Sequence, residues 1–168
     1  EDCEIHGTVD FICGGGDIYF NRALIYLEKR SGNVIAAPST PTSCKQGYVF
    51  NRCTIDGDAL NNGSYALGRP WQDAPRAVYL NTTMKVIPKK EGWSEMMKEG
   101  TPALFAEYNS LTADGYVVDL SNRKKVYNNI AVDYNPILTT EEAATYTIAN
   151  VLGGTDAWQP TLATEQVE

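Results

Sequence analysis

Histidine is the scarcest chemical resource of this 168-residue chain, present once as His6. Multi-histidine zinc centres therefore lack their ligands. A Ser-His-Asp or Cys-His triad would have to run through His6, and no G-x-S-x-G elbow accompanies it. Placed before Gly7 at a strand-to-turn junction, His6 reads as a surface residue. No C-x-x-C occurs among Cys3, Cys13, Cys44 and Cys53, which leaves zinc ribbons and thioredoxin-like chemistry unsupported. Four cysteines allow three pairings, and the expectation is buried free thiols. Neither a Walker A loop nor G-x-G-x-x-G is present; Gly14-Gly15-Gly16 leads into Asp17 and a strand, not a helix. No run approaches the roughly 18 apolar residues of a membrane helix. Cations are also short: 14 Lys+Arg against 21 Asp+Glu give −7, the wrong sign for a nucleic-acid partner. The start Glu1-Asp2-Cys3 has neither an initiator Met nor a signal peptide, and it predicts a fragment. If the chain is an enzyme, its chemistry must rest on carboxylate, Arg or Tyr.

What is present is a succession of short β-type runs, in a chain large enough for a real core. Strands are expected at Val9–Ile12, Ile18–Phe20, Leu24–Leu27, Val34–Ala36, Tyr48–Phe50, Cys53–Ile55, Tyr65–Leu67, Ala77–Leu80, Met84–Ile87 and Ala103–Tyr108. They fall in threes. Ile18-Tyr19-Phe20-Asn21-Arg22-Ala23-Leu24-Ile25 is echoed by Tyr48-Val49-Phe50-Asn51-Arg52-Cys53-Thr54-Ile55. Three strands per repeat with polar corners is the pattern of a parallel β-helix, with Asn at the shared corner suited to a left-handed backbone. A β-sandwich fits the same short strands and stays open on pattern alone. Residues 1–115 read as coils and 116–168 as a tail packed on them. Within the tail one helix is expected over 141–152, N-capped by Thr139 with Glu142 as capping-box partner and ended by Gly153-Gly154. A short helical turn is expected at Ser94–Lys98, and Trp158 is the expected apolar anchor of the tail.

Three clusters could carry chemistry. Asp10 lies inside the apolar run Gly7-Thr8-Val9-Asp10-Phe11-Ile12, where strands are depleted in Asp. Strict alternation would put Asp10 on one face with Thr8 and Ile12. Arg69 and Trp71 in Gly68-Arg69-Pro70-Trp71 would project to one side, a cation beside an indole that suits a carboxylate-bearing sugar. Glu107 lies within Phe105-Ala106-Glu107-Tyr108-Asn109. Each has a plainer reading: Asp10 and Arg69 as a self-satisfying pair, Trp71 as core or rim, Glu107 as support for a corner or a neighbouring Arg.

Gly7-Thr8-Val9-Asp10-Phe11-Ile12, Gly47-Tyr48-Val49-Phe50-Asn51-Arg52-Cys53, Leu67-Gly68-Arg69-Pro70-Trp71, Gly92-Trp93 and Glu107-Tyr108-Asn109 occur in an order and spacing that resemble pectin methylesterases. The resemblance covers about residues 1–115. It implies an all-β, right-handed parallel β-helix and de-esterification of methylesterified homogalacturonan, without metal or cofactor, at a secreted, periplasmic or cell-surface location. By the same resemblance Asp10 is the nucleophile, Arg69 orients it and keeps it ionised, and Trp71 and Val9 contact the sugar.

The sequence also departs from that family. No QDT-type run supplies a general acid, and no oxyanion glutamines precede Asp10, so the chain alone is expected to be nearly inactive. Cys13 stands where the family usually has an aromatic, and Val34–Thr40 replaces an ITAQGR-like run. Two other readings remain: a non-catalytic carbohydrate-binding or structural β-helix piece, and a pectate lyase. The lyase would need calcium, for which only Asp56 and Asp58 lie close together. An open first coil would also invite self-association.

Overall fold

The structure, a computed structural model, describes residues 1–96 and 100–162. The chain winds in coils of three strands. The first coil is β1 (Glu4–Gly7), β2 (Val9–Gly14) and β3 (Ile18–Asn21). The second is β4 (Leu24–Leu27), β5 (Val34–Pro38) and β6 (Tyr48–Asn51), and the third is β7 (Thr54–Gly57), β8 (Ala66–Gly68) and β9 (Arg76–Leu80). A looser fourth follows with β10 (Thr83–Met84) and β11 (Leu104–Tyr108), and then β12 (Leu111–Thr112). Corresponding strands stack into three sheets, ordered β1-β4-β7-β10-β12, β2-β5-β8 and β3-β6-β9-β11, and every pairing in them is parallel. This is a parallel β-helix. A sandwich would be built from antiparallel neighbours. The expected strands recur with small changes at their ends; β1 is additional, masked in the sequence by Glu4 and His6 around its one inward apolar residue, Ile5.

The echo between the two repeats is a register. Phe20 pairs with Phe50 and Phe50 with Tyr79, one residue per coil. Their rings stack inside the solenoid at 4.6 and 4.3 Å between centroids. Trp93 and Phe105 continue the column at 4.5 Å from each other, beyond a tilted Tyr79–Trp93 contact. Stacking at the coil repeat of about 4.8 Å thus fills the core with offset aromatic faces.

The corner is left-handed, one residue later than expected. Asp2, Arg22, Arg52, Asn81 and Asn109 have φ of 49, 54, 53, 52 and 51°, in successive coils. Asn21 and Asn51 end their strands instead and ladder through their side-chain amides, Nδ2 to Oδ1 at 3.0 Å. Only in the later coils does Asn itself take the corner.

The tail departs from expectation in two places. The single helix over 141–152 is two short ones, α1 (Thr140–Ala144) and α2 (Ile148–Leu152). Thr139 does cap α1 through a capping box with Glu142. Thr147 then accepts a hydrogen bond from the Asn150 amide and caps α2, so its side chain competes with a continuous helix. Trp158 is exposed; Val151 is the buried residue of α2, and Tyr19 donates its hydroxyl to the Tyr146 carbonyl at 3.2 Å. β13 (Val126–Tyr127) and β14 (Ile130–Ala131) form an antiparallel ribbon. Of the expected turn over 94–98, residues 94–96 have no regular structure and 97–98 lie outside the described residues. All four cysteines are free, but only Cys53 is buried; Cys3 and Cys13 are exposed.

Candidate active site

The site begins with an irregularity in β2. Val9 pairs with Val34 but Ile12 pairs with Ala36, so three steps along β2 oppose two along β5. That is a β-bulge, and Asp10 within it has φ 55°. The extra residue breaks strict alternation: Ile12 is buried while Asp10 turns outward, which corrects the expectation that the two share a face. Gly7 makes room for the bulge, since a Cβ there would lie 2.2 Å from the Phe11 ring.

Arg69 comes from the end of β8, two coils on. Its Nε donates to Asp10 Oδ1 at 2.9 Å and Oδ2 at 3.2 Å, and its Nη2 donates to Oδ2 at 2.5 Å. The planar guanidinium thus grips both carboxylate oxygens, the two-point geometry that fixes a carboxylate's orientation. Reaching back across two coils spans about 9–10 Å between backbones, which the extended Arg side chain covers. The pair is neither sealed nor fully solvated, with side chains 24% and 30% exposed for Asp10 and Arg69. Gly68 lets this strand run close to its neighbours, since a Cβ would meet the Ala36 carbonyl at 2.9 Å and the Trp93 ring at 3.3 Å.

The Arg69 and Trp71 amides donate to the carbonyls of Ala36 and Pro38, so residues two apart bond the same neighbouring strand and project to one face. Trp71 stands exposed on that face. Val9 is half-buried at the edge of the same sheet, in register with Val34 and, through it, Ala66. The structure therefore brings Asp10 and Arg69 into contact, with Trp71 alongside.

Glu107 belongs elsewhere. It is fully buried, accepts from Arg123 at Nε (2.5 Å) and Nη2 (3.1 Å), and accepts the Ser110 hydroxyl at 2.8 Å. This is a structural ion pair between coil and tail. Asp56 and Asp58 are likewise engaged apart, Asp56 with Lys85 at 3.2 Å and Asp58 capping a 3-10 turn at Ala59–Asn61. His6 is exposed, stacked on Tyr26 and hydrogen-bonded to Glu28. Among the described residues no group of three or more His, Cys, Asp or Glu could hold a metal ion. Two positions at which the sequence departs from the family pattern, Cys13 and the run Val34–Thr40, meet in the register, where Cys13 pairs with Ala37.

Residues 1–155 match the family model described as Pectinesterase. Pectinesterase 1 of Arabidopsis thaliana is 27% identical over 95% of this chain and 27% of its own length. Probable pectinesterase A of Aspergillus niger is 32% identical over 82% of this chain and 41% of its own. Among solved structures, a mutant pectin methylesterase in complex with a hexasaccharide superposes with a TM-score of 0.66 at 28% identity, covering 96% of this chain and 51% of that one. The chain thus spans less than half of these two relatives and about half of the solved protein.

Proposed function

The chain belongs to the pectinesterase family, and from that premise we propose that Asp10 is the nucleophile for hydrolysis of methyl esters in methylesterified homogalacturonan. The observation that carries this reading is the two-point grip of Arg69 on Asp10 on the outward face of the sheet, with both side chains partly exposed. An Asp10 oxygen adds to the ester carbonyl carbon. The tetrahedral centre then expels the methoxy oxygen, which takes up a proton and leaves as methanol, giving a mixed anhydride of Asp10 and the uronate. Water adds to the uronate carbonyl and expels the Asp10 carboxylate, yielding the free uronic acid. Arg69 holds the carboxylate in line for attack, and Trp71 offers an indole face to the sugar, with Val9 at the edge. The substrate is a wall polymer found outside cells, which fits a secreted or surface location.

Two parts of the mechanism are not supplied by these residues. No QDT-type run occurs in the sequence, and neither the proton for methanol nor the oxyanion donors are assigned to any of its residues. Removing a general acid costs about 10²- to 10⁴-fold and an oxyanion donor about 10²- to 10³-fold, so the 168 residues alone should release methanol slowly.

The test is methanol release from methylesterified pectin by this chain, and by a longer pectinesterase chain that contains it, each with Asp10→Asn and Arg69→Lys. The longer chain should lose activity by orders of magnitude with Asp10→Asn and less with Arg69→Lys. Full activity of Asp10→Asn would remove the nucleophile assignment. Pectin binding without methanol release in either length would favour a carbohydrate-binding role, for which the exposed Trp71 is the supporting observation.

A further inference from the structure

We propose that Lys89, steadied by Ser94, binds a free uronate carboxylate of the saccharide chain one coil beyond Arg69, so that this face takes homogalacturonan already de-esterified at that unit. The proposal rests on the reading of Asp10 as nucleophile and adds a substrate preference to it.

Residues 89–94 continue the sheet of the candidate site beyond β8. The Lys89 amide donates to the Tyr65 carbonyl at 2.9 Å, and the Ser94 amide donates to the Gly68 carbonyl at 2.9 Å. The Arg69 amide makes the same step onto Ala36, so Arg69 and Ser94 stand in one row on neighbouring coils. Trp93, just before Ser94, is wholly buried in the core, and alternation turns Ser94 outward, where it is partly exposed. The Lys89 ammonium donates to the Ser94 hydroxyl at 2.6 Å. A second cation is thereby held beside the row that carries Arg69. Three coil steps of about 4.8 Å separate it from the Asp10 strand, roughly 14 Å along the stack.

The other cations near this face are already spent. Arg69 is taken by Asp10, Lys124 by Glu95 at 2.9 Å and Lys85 by Asp56 at 3.2 Å. Among the described residues no carboxylate is ion-paired with Lys89. Its ammonium is also partly withdrawn from solvent, and this burial holds its pKa below the usual lysine value. Of the charges around it, Glu91 raises that pKa, Lys124 lowers it and Glu95 raises it. Partial desolvation without a paired anion costs free energy that a bound carboxylate recovers. The Ser94 hydroxyl accepts from Lys89 and keeps its own proton to donate to the same carboxylate. A methyl ester has neither the charge nor the acceptor strength of the free acid, so this position separates the two states of one uronate unit.

The test is calorimetry with two saccharides, hexagalacturonate and fully methyl-esterified hexagalacturonate, on the native chain, Lys89→Gln, Lys89→Arg and Lys85→Gln. Lys89→Gln should weaken hexagalacturonate by about 5- to 20-fold and leave the ester within about twofold. Lys89→Arg keeps the charge and should keep the preference. Lys85→Gln removes the same charge beside β10 and should leave both affinities within about twofold. The ratio within one variant cancels any general loss of folded protein. An unchanged ratio in Lys89→Gln, or an equal loss in Lys85→Gln, would overturn the Lys89 site and leave the Asp10 assignment to methanol release by the longer chain. A Lys89-dependent preference alongside full activity of Asp10→Asn would remove the nucleophile and keep the carboxylate site. No binding of hexagalacturonate to the native chain would overturn the carboxylate site.

Discussion

The buried Glu107–Arg123 pair sets the sharpest stability test, because it separates structural from catalytic use of a carboxylate. The side chains are 0% and 2% exposed, and Glu107 accepts three hydrogen bonds, two from Arg123 and one from Ser110. Arg123 also donates from Nη1 to the Lys90 carbonyl at 3.0 Å. Glu107→Gln keeps the shape but leaves the buried guanidinium without its paired carboxylate. Breaking one side of such a pair costs about 3–5 kcal/mol. For a domain of this size each kcal/mol shifts Tm by about 2–4 °C, so the melt should fall by about 6–20 °C. Urea unfolding should show a lower midpoint at unchanged slope. The double substitution Glu107→Leu with Arg123→Met removes both charges and should recover most of the loss. A single Glu107→Gln within about 1 kcal/mol of the native chain, or a double variant no better than the single, would refute the reasoning. Saccharide affinity of the folded protein should stay unchanged in these variants, since Asp10, Arg69 and Trp71 are not touched.

Two further outcomes follow from the core. Burial pushes the Cys53 thiol up from its usual 9.0 to about 11. The folded state therefore holds that proton more tightly than the unfolded chain; the contribution is complete below pH 9 and is lost as pH rises through 11. The loss amounts to about 2–3 kcal/mol, and Cys53→Ala should flatten that alkaline decline when unfolding is measured across the window; an identical slope would contradict it. Phe50 sits between Phe20 and Tyr79 at 4.6 and 4.3 Å. Phe50→Ala should cost about 3–5 kcal/mol in urea unfolding, and a loss under 1 kcal/mol would mean the aromatic column collapses around the gap.

The echo of Phe20-Asn21-Arg22 in Phe50-Asn51-Arg52 was legible because a solenoid repeats its local constraints: each coil needs an inward aromatic and a left-handed corner at the same position. The motif around Arg69 was legible for a similar reason, since a glycine, a cation and an indole must follow one another on a single strand. The split of the expected helix was not, because Thr147 reads equally well as a helix residue and as a cap until its side chain is seen to accept from Asn150. Trp158 was misjudged because size alone says that an aromatic can anchor a tail, not that a surface is there to receive it.

The sequence by itself determined the repeating strands, the aromatic register and the pair of residue types on which the proposed chemistry rests. These depend on short-range alternation and on the identity of single side chains. Only the tertiary structure decided that Asp10 faces outward, that Arg69 reaches it from two coils away, and that Glu107 is spent on Arg123. A one-residue bulge reverses the face of everything after it, and stacking joins residues 59 and 16 positions apart, neither of which local pattern encodes.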